Sequence, residues 1–361
     1  MRIVIAGAAA NILSAHRRGF DAVDAQVVAV QDINTQRAQA VAAEFGARFH
    51  HDVDALWAED ADVALILAPH PFHAQMAIAA LRAGKHVLVE KPLAVSVAEG
   101  DAMVAEAERA GRMLAVCLQQ RMRDEVVEAR RLIAAGFLGR LLRADLLATW
   151  PRRRAYFDLA AWRGTWRGEG GGVLINQGQH DMDLLLHLAG SPARVFAKTP
   201  TRMHEIETED SVQALLEWEN GALGSVHIST VEVDEAQRIE LTGTRGRLRL
   251  TPGRLVSIGN DEDFEDFRAA QGGAFDVPGT GEPRAFEGAG GDHADLYRDW
   301  AEALAGRRPP IASGADALRT LELANAIQLS GRTGREVELP LDRKAYSALL
   351  ESLRSAAGAA R

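Results

Sequence analysis

The sequence predicts an α/β protein: an N-terminal doubly wound parallel sheet, followed by an α/β region built on a large, open, mostly antiparallel sheet. Three observations predict it. Up to residue 120, short β-branched runs alternate with helical segments of roughly 10–15 residues, the pattern of βαβ units. Beyond residue 120 the alternation of apolar and polar residues runs on for longer, as in Leu141–Thr149 and Leu223–Ser229. Asn220-Gly221 then separates two such runs, a strong signal for a tight hairpin. The expected division is residues 1–120 and 121–361, with the last helices packing back on the first part.

Along the chain, Arg2–Ala6 reads as the first strand, Gly7 to Asn11 as a small-residue turn, and the stretch to about Arg18 as an amphipathic helix. Val27–Gln31 is a second strand ending at Asp32, and Thr35–Phe45 a helix closed by Gly46. Val63–Leu67 is a third strand, His73–Ala83 a helix stopped by Gly84, and His86–Val89 a fourth strand. Ser96 caps a helix that Gly111 stops, and Met113–Leu118 is the fifth strand. A helix from about Arg123 to Ala135 opens the second part. Further strands are expected at Leu141–Thr149, Val212–Trp218, Leu223–Ser229, Arg238–Thr242 and Arg247–Leu250. A helix over Val173–Leu188 interrupts them, and Tyr297–Leu304 and Ala315–Ser330 supply later helices. Gly272–Gly291, rich in Gly, Pro and Ala, reads as a long surface loop or lid.

At 361 residues, 47% hydrophobic and 25% charged, the chain is long enough for two cores. A net charge of −9, with no basic block interleaved with aromatics, argues against a nucleic-acid partner; Arg152-Arg153-Arg154 is too short to change that. The single Cys117, between Val116 and Leu118, reads as a buried inert thiol of a reducing compartment. No apolar run approaches the ~18 residues of a membrane span, and the basic pair Arg17-Arg18 lies on the wrong side of MRIVIAGAAA for a leader. The expected location is the cytoplasm, with no membrane partner.

The strand His86–Val89 ends on Glu90-Lys91-Pro92. Proline keeps the residue before it extended, so Lys91 is presented from the carboxyl end of a strand, where open parallel sheets bind ligands. A dinucleotide turn carries G-x-G-x-x-G after the first strand. Here Gly7 keeps the first position, while Ala9 and Ile12 occupy the other two, with Asn11 between them. Asp32 lies roughly 20 residues beyond the turn, where a carboxylate accepts both ribose hydroxyls and repels a 2′-phosphate. NAD is therefore favoured over NADP, and Arg37 is the residue that keeps NADP open. On the helix expected over 173–188, Asn176, His180 and Asp183 share one face. An imidazole with an unperturbed pKa of about 6.5 is a candidate proton acceptor, whose rate profile would bend near that value; a hydrogen-bonded histidine between domains is the alternative. His180, Asp183 and His187 have the spacing of metal ligands, but no fourth ligand is evident and Leu184–Leu188 reads as core, so no metal is expected.

The run DVALILAPHPFHAQMAIAALRAGKHVLVEKPLA, from Asp62 to Ala94, resembles the Gfo/Idh/MocA oxidoreductases. The resemblance continues through GGGVLINQGQHDMDLL, ETEDSVQALLEWENGALGSV and IQLSGRTGREVEL, and so covers nearly the whole chain. It implies a Rossmann domain and a C-terminal α/β domain whose open sheet is often used for oligomerisation, hence a homodimer or homotetramer. It also implies hydride transfer between NAD(P) and a secondary hydroxyl of a sugar, glycoside or cyclitol. Lys91 matches the family's active-site lysine and His180 its active-site histidine, which makes His180 the base and Lys91 the cation for a developing alkoxide. Asn176 stands where many members have aspartate, and Asp183 would orient the imidazole or bind a substrate hydroxyl. The cofactor contacts implied are Gly7, Ala9, Asn11, Ile12, Asp32, Ala68, Pro69, His70, His73, Glu90, Lys91 and Gln120, with Trp162-Arg163 at the nicotinamide end. Arg152 and Tyr156, together with Asn176 and Asp183, would face the sugar. The altered glycine turn is the main departure from the family pattern. Two other activities stay open on such a scaffold: a lyase or glycosidase that oxidises its sugar only transiently, and a non-catalytic cofactor sensor. Retention of both Lys91 and His180 argues against the sensor.

Overall fold

The computed structural model describes residues 1–234 and 237–359, with side chains as far as residue 356. Its first part runs β1 (Arg2–Ala6), α1 (Leu13–Ala22), β2 (Gln26–Gln31), α2 (Thr35–Phe45), β3 (Arg48–His50), α3 (Val53–Trp57), β4 (Val63–Ile66), α4 (His73–Arg82), β5 (His86–Val89), α5 (Val97–Ala110) and β6 (Leu114–Val116). The strands form a 6-stranded sheet in the order β3-β2-β1-β4-β5-β6, every pairing parallel. Both faces are covered, so Ile3, Val4 and Ile5 are all fully buried, although their side chains point to opposite sides. The pair β3 and α3 escapes the sequence reading because a strand of 3 residues and a helix of 5 are too short to show a period.

The second part runs α6 (Asp124–Ala134), β7 (Leu141–Thr149), α7 (Arg154–Asp158), α8 (Gln179–Ala189), β8 (Arg194–Lys198), β9 (Ser211–Glu217), β10 (Leu223–Ser229), β11 (Gln237–Gly243), β12 (Gly246–Thr251), β13 (Arg254–Gly259), α9 (Phe264–Ala269), β14 (Arg284–Glu287), α10 (His293–Leu304), α11 (Gly314–Thr333), β15 (Val337–Glu338) and α12 (Arg343–Ala359). A 9-stranded sheet takes the order β14-β13-β12-β11-β7-β10-β9-β8-β15. It is antiparallel except where β10 lies parallel to β7. The Asn220-Gly221 turn joins β9 to β10 as its sequence predicts, closed by the Gly221 amide on the Trp218 carbonyl. One sheet face is buried through Val212, Ala214 and Leu216, while Leu215 and Leu223 on the other are each 61% exposed.

Two expectations need correction. The helix expected over 173–188 begins only at Gln179. Residues 173–178 are a turn, because the Val173 amide is taken by the Glu209 carbonyl and the Gly178 amide closes back on Val173. The supposed lid over 272–291 contains β14, which pairs with β13 at the sheet edge. The late helices do reach back: Tyr297 and Trp300 of α10 are buried in one cluster with Ile3, Ile5 and Phe20 of the first part. Among the described residues no helix is long and apolar enough to cross a membrane.

Candidate active site

The candidate residues of the first part gather at the carboxyl ends of the parallel strands, where loops are free to meet a ligand. After β1, Gly7 has φ +85°, and a Cβ there would lie 2.5 Å from the Ala68 backbone nitrogen. Only glycine lets this turn close against the chain leaving β4. The Asp32 carboxylate braces the same turn, accepting from the Ala9 amide at 2.9 Å and from the Asn34 amide at 2.7 Å. Among the described residues the amides of Asn11 and Ile12, at the entrance to α1, have no acceptor. Arg37, on α2, donates to the Asn11 side chain at 3.1 Å. Free amides at a helix start, a turn that tolerates no side chain at Gly7 and a carboxylate with lone pairs to spare fit the pyrophosphate and ribose of NAD.

The next pieces follow β4, β5 and β6. Ala68, Pro69 and His70 leave β4, and His70 is buried with its Nδ1 unpartnered among the described residues. Burial, with His73 and Lys91 nearby, pulls the His70 imidazole well below its ordinary range. His73 is corrected from a cofactor contact to a buried brace: it is fully enclosed, and its ring nitrogens lie 2.8 Å from the carbonyls of Pro92 and Ala68. Gln120 sits in a short 3-10 turn after β6, accepting from Arg123. Glu90 ends β5, and its carboxylate meets His16 Nε2 at 3.0 Å and the Lys91 amide at 3.1 Å. Burial opposes ionisation of Glu90, but the hydrogen bond from His16 and the nearby His293 ring hold its carboxyl well below the usual range. Lys91, joined to Pro92 by a cis bond, donates its ammonium to the Asn176 carbonyl at 2.8 Å. Burial lowers the pKa of that ammonium.

The second part supplies the opposite wall from the segment between β7 and β8. Tyr156, on α7, accepts at its hydroxyl from Asn176 Nδ2 and Gln177 Nε2, each at 3.1 Å, and from Arg163. The guanidinium groups of Arg152 and Arg163 lie 5.0 and 4.3 Å from its ring centre. Trp162 packs at 5.5 Å on His70, which ties this wall to the first part. His180 is half-buried in the first turn of α8, and its Nδ1 has no partner among the described residues. Burial first, then the Lys91 charge, pulls its imidazole down to about 3. The profile expected to bend near 6.5 is corrected accordingly: His180 is neutral throughout the usual working range.

Asn176 is brought beside Tyr156 and Lys91, but from the turn and not from the helix face on which its spacing placed it. Asp183 is corrected more sharply. Its carboxylate takes the Arg121 guanidinium in two bonds of 2.8 and 2.6 Å and the Thr320 hydroxyl at 3.1 Å, with 1% exposure, so it orients no imidazole and meets no substrate. The metal spacing with His187 is thereby broken. Among the described residues the group of such side chains close enough to share an ion is His16, Glu90 and Cys117, within 4.8 Å of one another.

Sequence reasoning missed two buried carboxyls. Asp181, fully enclosed, accepts from Trp150 Nε1 at 2.7 Å and from Gln237, and burial raises it to about 6. Glu169, 2% exposed, accepts from the Gly164 amide at 2.7 Å and from the Asn176 amide group; burial raises it to about 7. An acidic residue immediately before the Gly170–Gly172 turn was the available signal.

A parallel sheet of this order, with an acidic residue after its second strand and a lysine at the end of its fifth, defines a dinucleotide-dependent oxidoreductase. The chain belongs to the GFO/IDH/MocA oxidoreductase family. Residues 1–118 match the "Oxidoreductase family, NAD-binding Rossmann fold", and residues 126–249 match the "GFO/IDH/MocA C-terminal domain". It is 29% identical over 324 residues to a D-apiose dehydrogenase of Paraburkholderia graminis, spanning 87% of this chain and 83% of that protein. It is 26% identical over 341 residues to the scyllo-inositol 2-dehydrogenase (NAD+) of Bacillus subtilis, spanning 90% and 92%. Among solved structures, the WlbA dehydrogenase of Bordetella pertussis in complex with NADH and UDP-GlcNAcA superposes with a TM-score of 0.81 at 29% identity, covering 95% of this chain and 99% of that one. The protein is an NAD-dependent oxidoreductase that acts by hydride transfer.

Proposed function

We propose that the protein oxidises a secondary hydroxyl of a sugar or cyclitol, with His180 receiving the hydroxyl proton beside the Lys91 ammonium. The observation that carries this reading is a neutral imidazole, with one nitrogen free, held within the field of Lys91. Bound NAD supplies the hydride acceptor. Lys91 favours the developing negative charge on the substrate oxygen, and its anchor on the Asn176 carbonyl fixes where that charge forms. Among the described residues His180 Nδ1 has no competing partner, so it is available for the proton. Tyr156, Asn176, Gln177 and Arg152 offer a polar, hydrogen-bonding wall suited to a polyol. The names of the relatives, an apiose and an inositol dehydrogenase among them, support the substrate class. Association of copies fits the open face of the 9-stranded sheet, where Phe196, Leu215 and Leu223 are exposed.

The test is a panel of cyclitols, free sugars, glycosides and nucleotide sugars, followed both for NADH and for leaving-group release. Net NADH from a hydroxyl donor is expected; bond cleavage without NADH would move the protein to the lyase class. His180→Ala should lower kcat by roughly 10²- to 10⁴-fold while NAD binding is retained.

A further inference from the structure

Glu169 belongs to none of the motifs that mark the site, yet its carboxylate ties two separate pieces of it together. One carboxylate oxygen accepts the Gly164 amide at 2.7 Å, which pins the loop bearing Trp162 and Arg163. The other accepts from the Asn176 side chain, and the backbone carbonyl of the same residue holds the Lys91 ammonium at 2.8 Å. The side chain is 2% exposed, so water cannot replace any of these partners.

We propose that Glu169 is a positioning residue whose carboxylate holds the Trp162–Arg163 loop and Asn176 in place around Lys91, and so sets the rate. An ionised carboxylate accepts both N–H groups through charge-assisted bonds; protonation makes one oxygen a donor and weakens what that oxygen accepts. The charged and titratable groups facing it are Arg163 on the loop, Lys91 after β5, His70 after β4 and Glu209 before β9. Glu209 is itself buried, accepting the Gly172 amide at 2.8 Å, and its charge opposes ionisation of Glu169, while Arg163 favours it. Burial is the largest influence and brings the group to about 7. The loop and Lys91 therefore share one protonation event.

This inference rests on the reading of Lys91 as catalytic, so it needs a readout independent of turnover. In the wild type, kcat should rise through an inflection near 7, and amide exchange over residues 160–168, corrected for intrinsic rates, should slow across the same interval. Glu169→Gln cannot titrate, so both changes should vanish and kcat should sit roughly 10- to 100-fold low at every pH, as expected when reacting groups are misplaced. Glu169→Asp should restore a titration, displaced by its shorter reach. An inflection and an exchange change that persist unaltered in Glu169→Gln would overturn the proposal. A Lys91→Ala enzyme that keeps its rate would overturn the catalytic reading alone, and the exchange measurement would still decide the role of Glu169.

Discussion

At the scale of single residues, Asp32 has two tasks that are separable by choice of cofactor. It braces the glycine turn through the Ala9 amide, and we propose that, after the second strand, it also receives the ribose hydroxyls of NAD. Removing it takes a charge-assisted hydrogen bond from NAD, roughly 1.5–3 kcal/mol. The same substitution relieves repulsion of a 2′-phosphate. Asp32→Ala should therefore raise KM for NAD about 10- to 100-fold and that for NADP far less; equal increases would mean that only the bracing matters. His180 shows why a residue's identity can be read from sequence while its chemistry cannot. Its place between Gly178 and Asp181 is written in the motif, but its depression to about 3 comes from burial and from Lys91, 89 positions earlier in the chain. In consequence, no limb of the kcat profile should belong to His180: His180→Ala should lower the whole profile and leave its inflection in place.

At the scale of elements, the strands of the first sheet other than β3 and the Glu90-Lys91-Pro92 ending were legible because short continuous apolar runs and proline are local signals. The turn before α8 was not, since it is shaped by Glu209, whose Oε1 takes the amides of both Gly172 and Leu174 from far along the chain. For the same reason Asp183, which its spacing placed to orient the imidazole or bind a substrate hydroxyl, proves to anchor α8 to Arg121 in the turn after β6. That ion pair is buried, with side-chain exposures of 5% and 1%. Breaking it leaves an uncompensated charge, a cost of about 3–5 kcal/mol. Asp183→Asn should thus lower the urea midpoint sharply, and the molecules that remain folded should keep an unchanged pH profile. Normal stability with a lost kcat would restore Asp183 to the reacting groups.

At the scale of the whole molecule, the shifted groups act on stability in opposite senses. His180 and His187 both fall from 6.5 to about 3, chiefly through burial, so the unfolded chain takes up protons that the folded chain refuses. Their contribution is full above 6.5 and is lost progressively as pH falls toward 3. Glu169 and Asp181 rise from 4.5 and 3.8 to about 7 and about 6, so the folded chain keeps protons that the unfolded chain releases. Their contribution is present at low pH and disappears as pH rises through about 6 and about 7. Between 4.5 and 6 the two pairs oppose one another, and below 3.8 only the histidines still change with pH. Among these four groups, stability should be nearly flat across the first interval and fall in the second. His187 faces Arg121 and Arg130 away from the reacting groups, which makes it the cleaner probe. His187→Gln removes one proton uptake on unfolding. Urea midpoints of the variant should therefore decline less steeply than those of the wild type as pH is lowered from 6.5. Parallel declines would show that His187 titrates alike in the folded and unfolded chains.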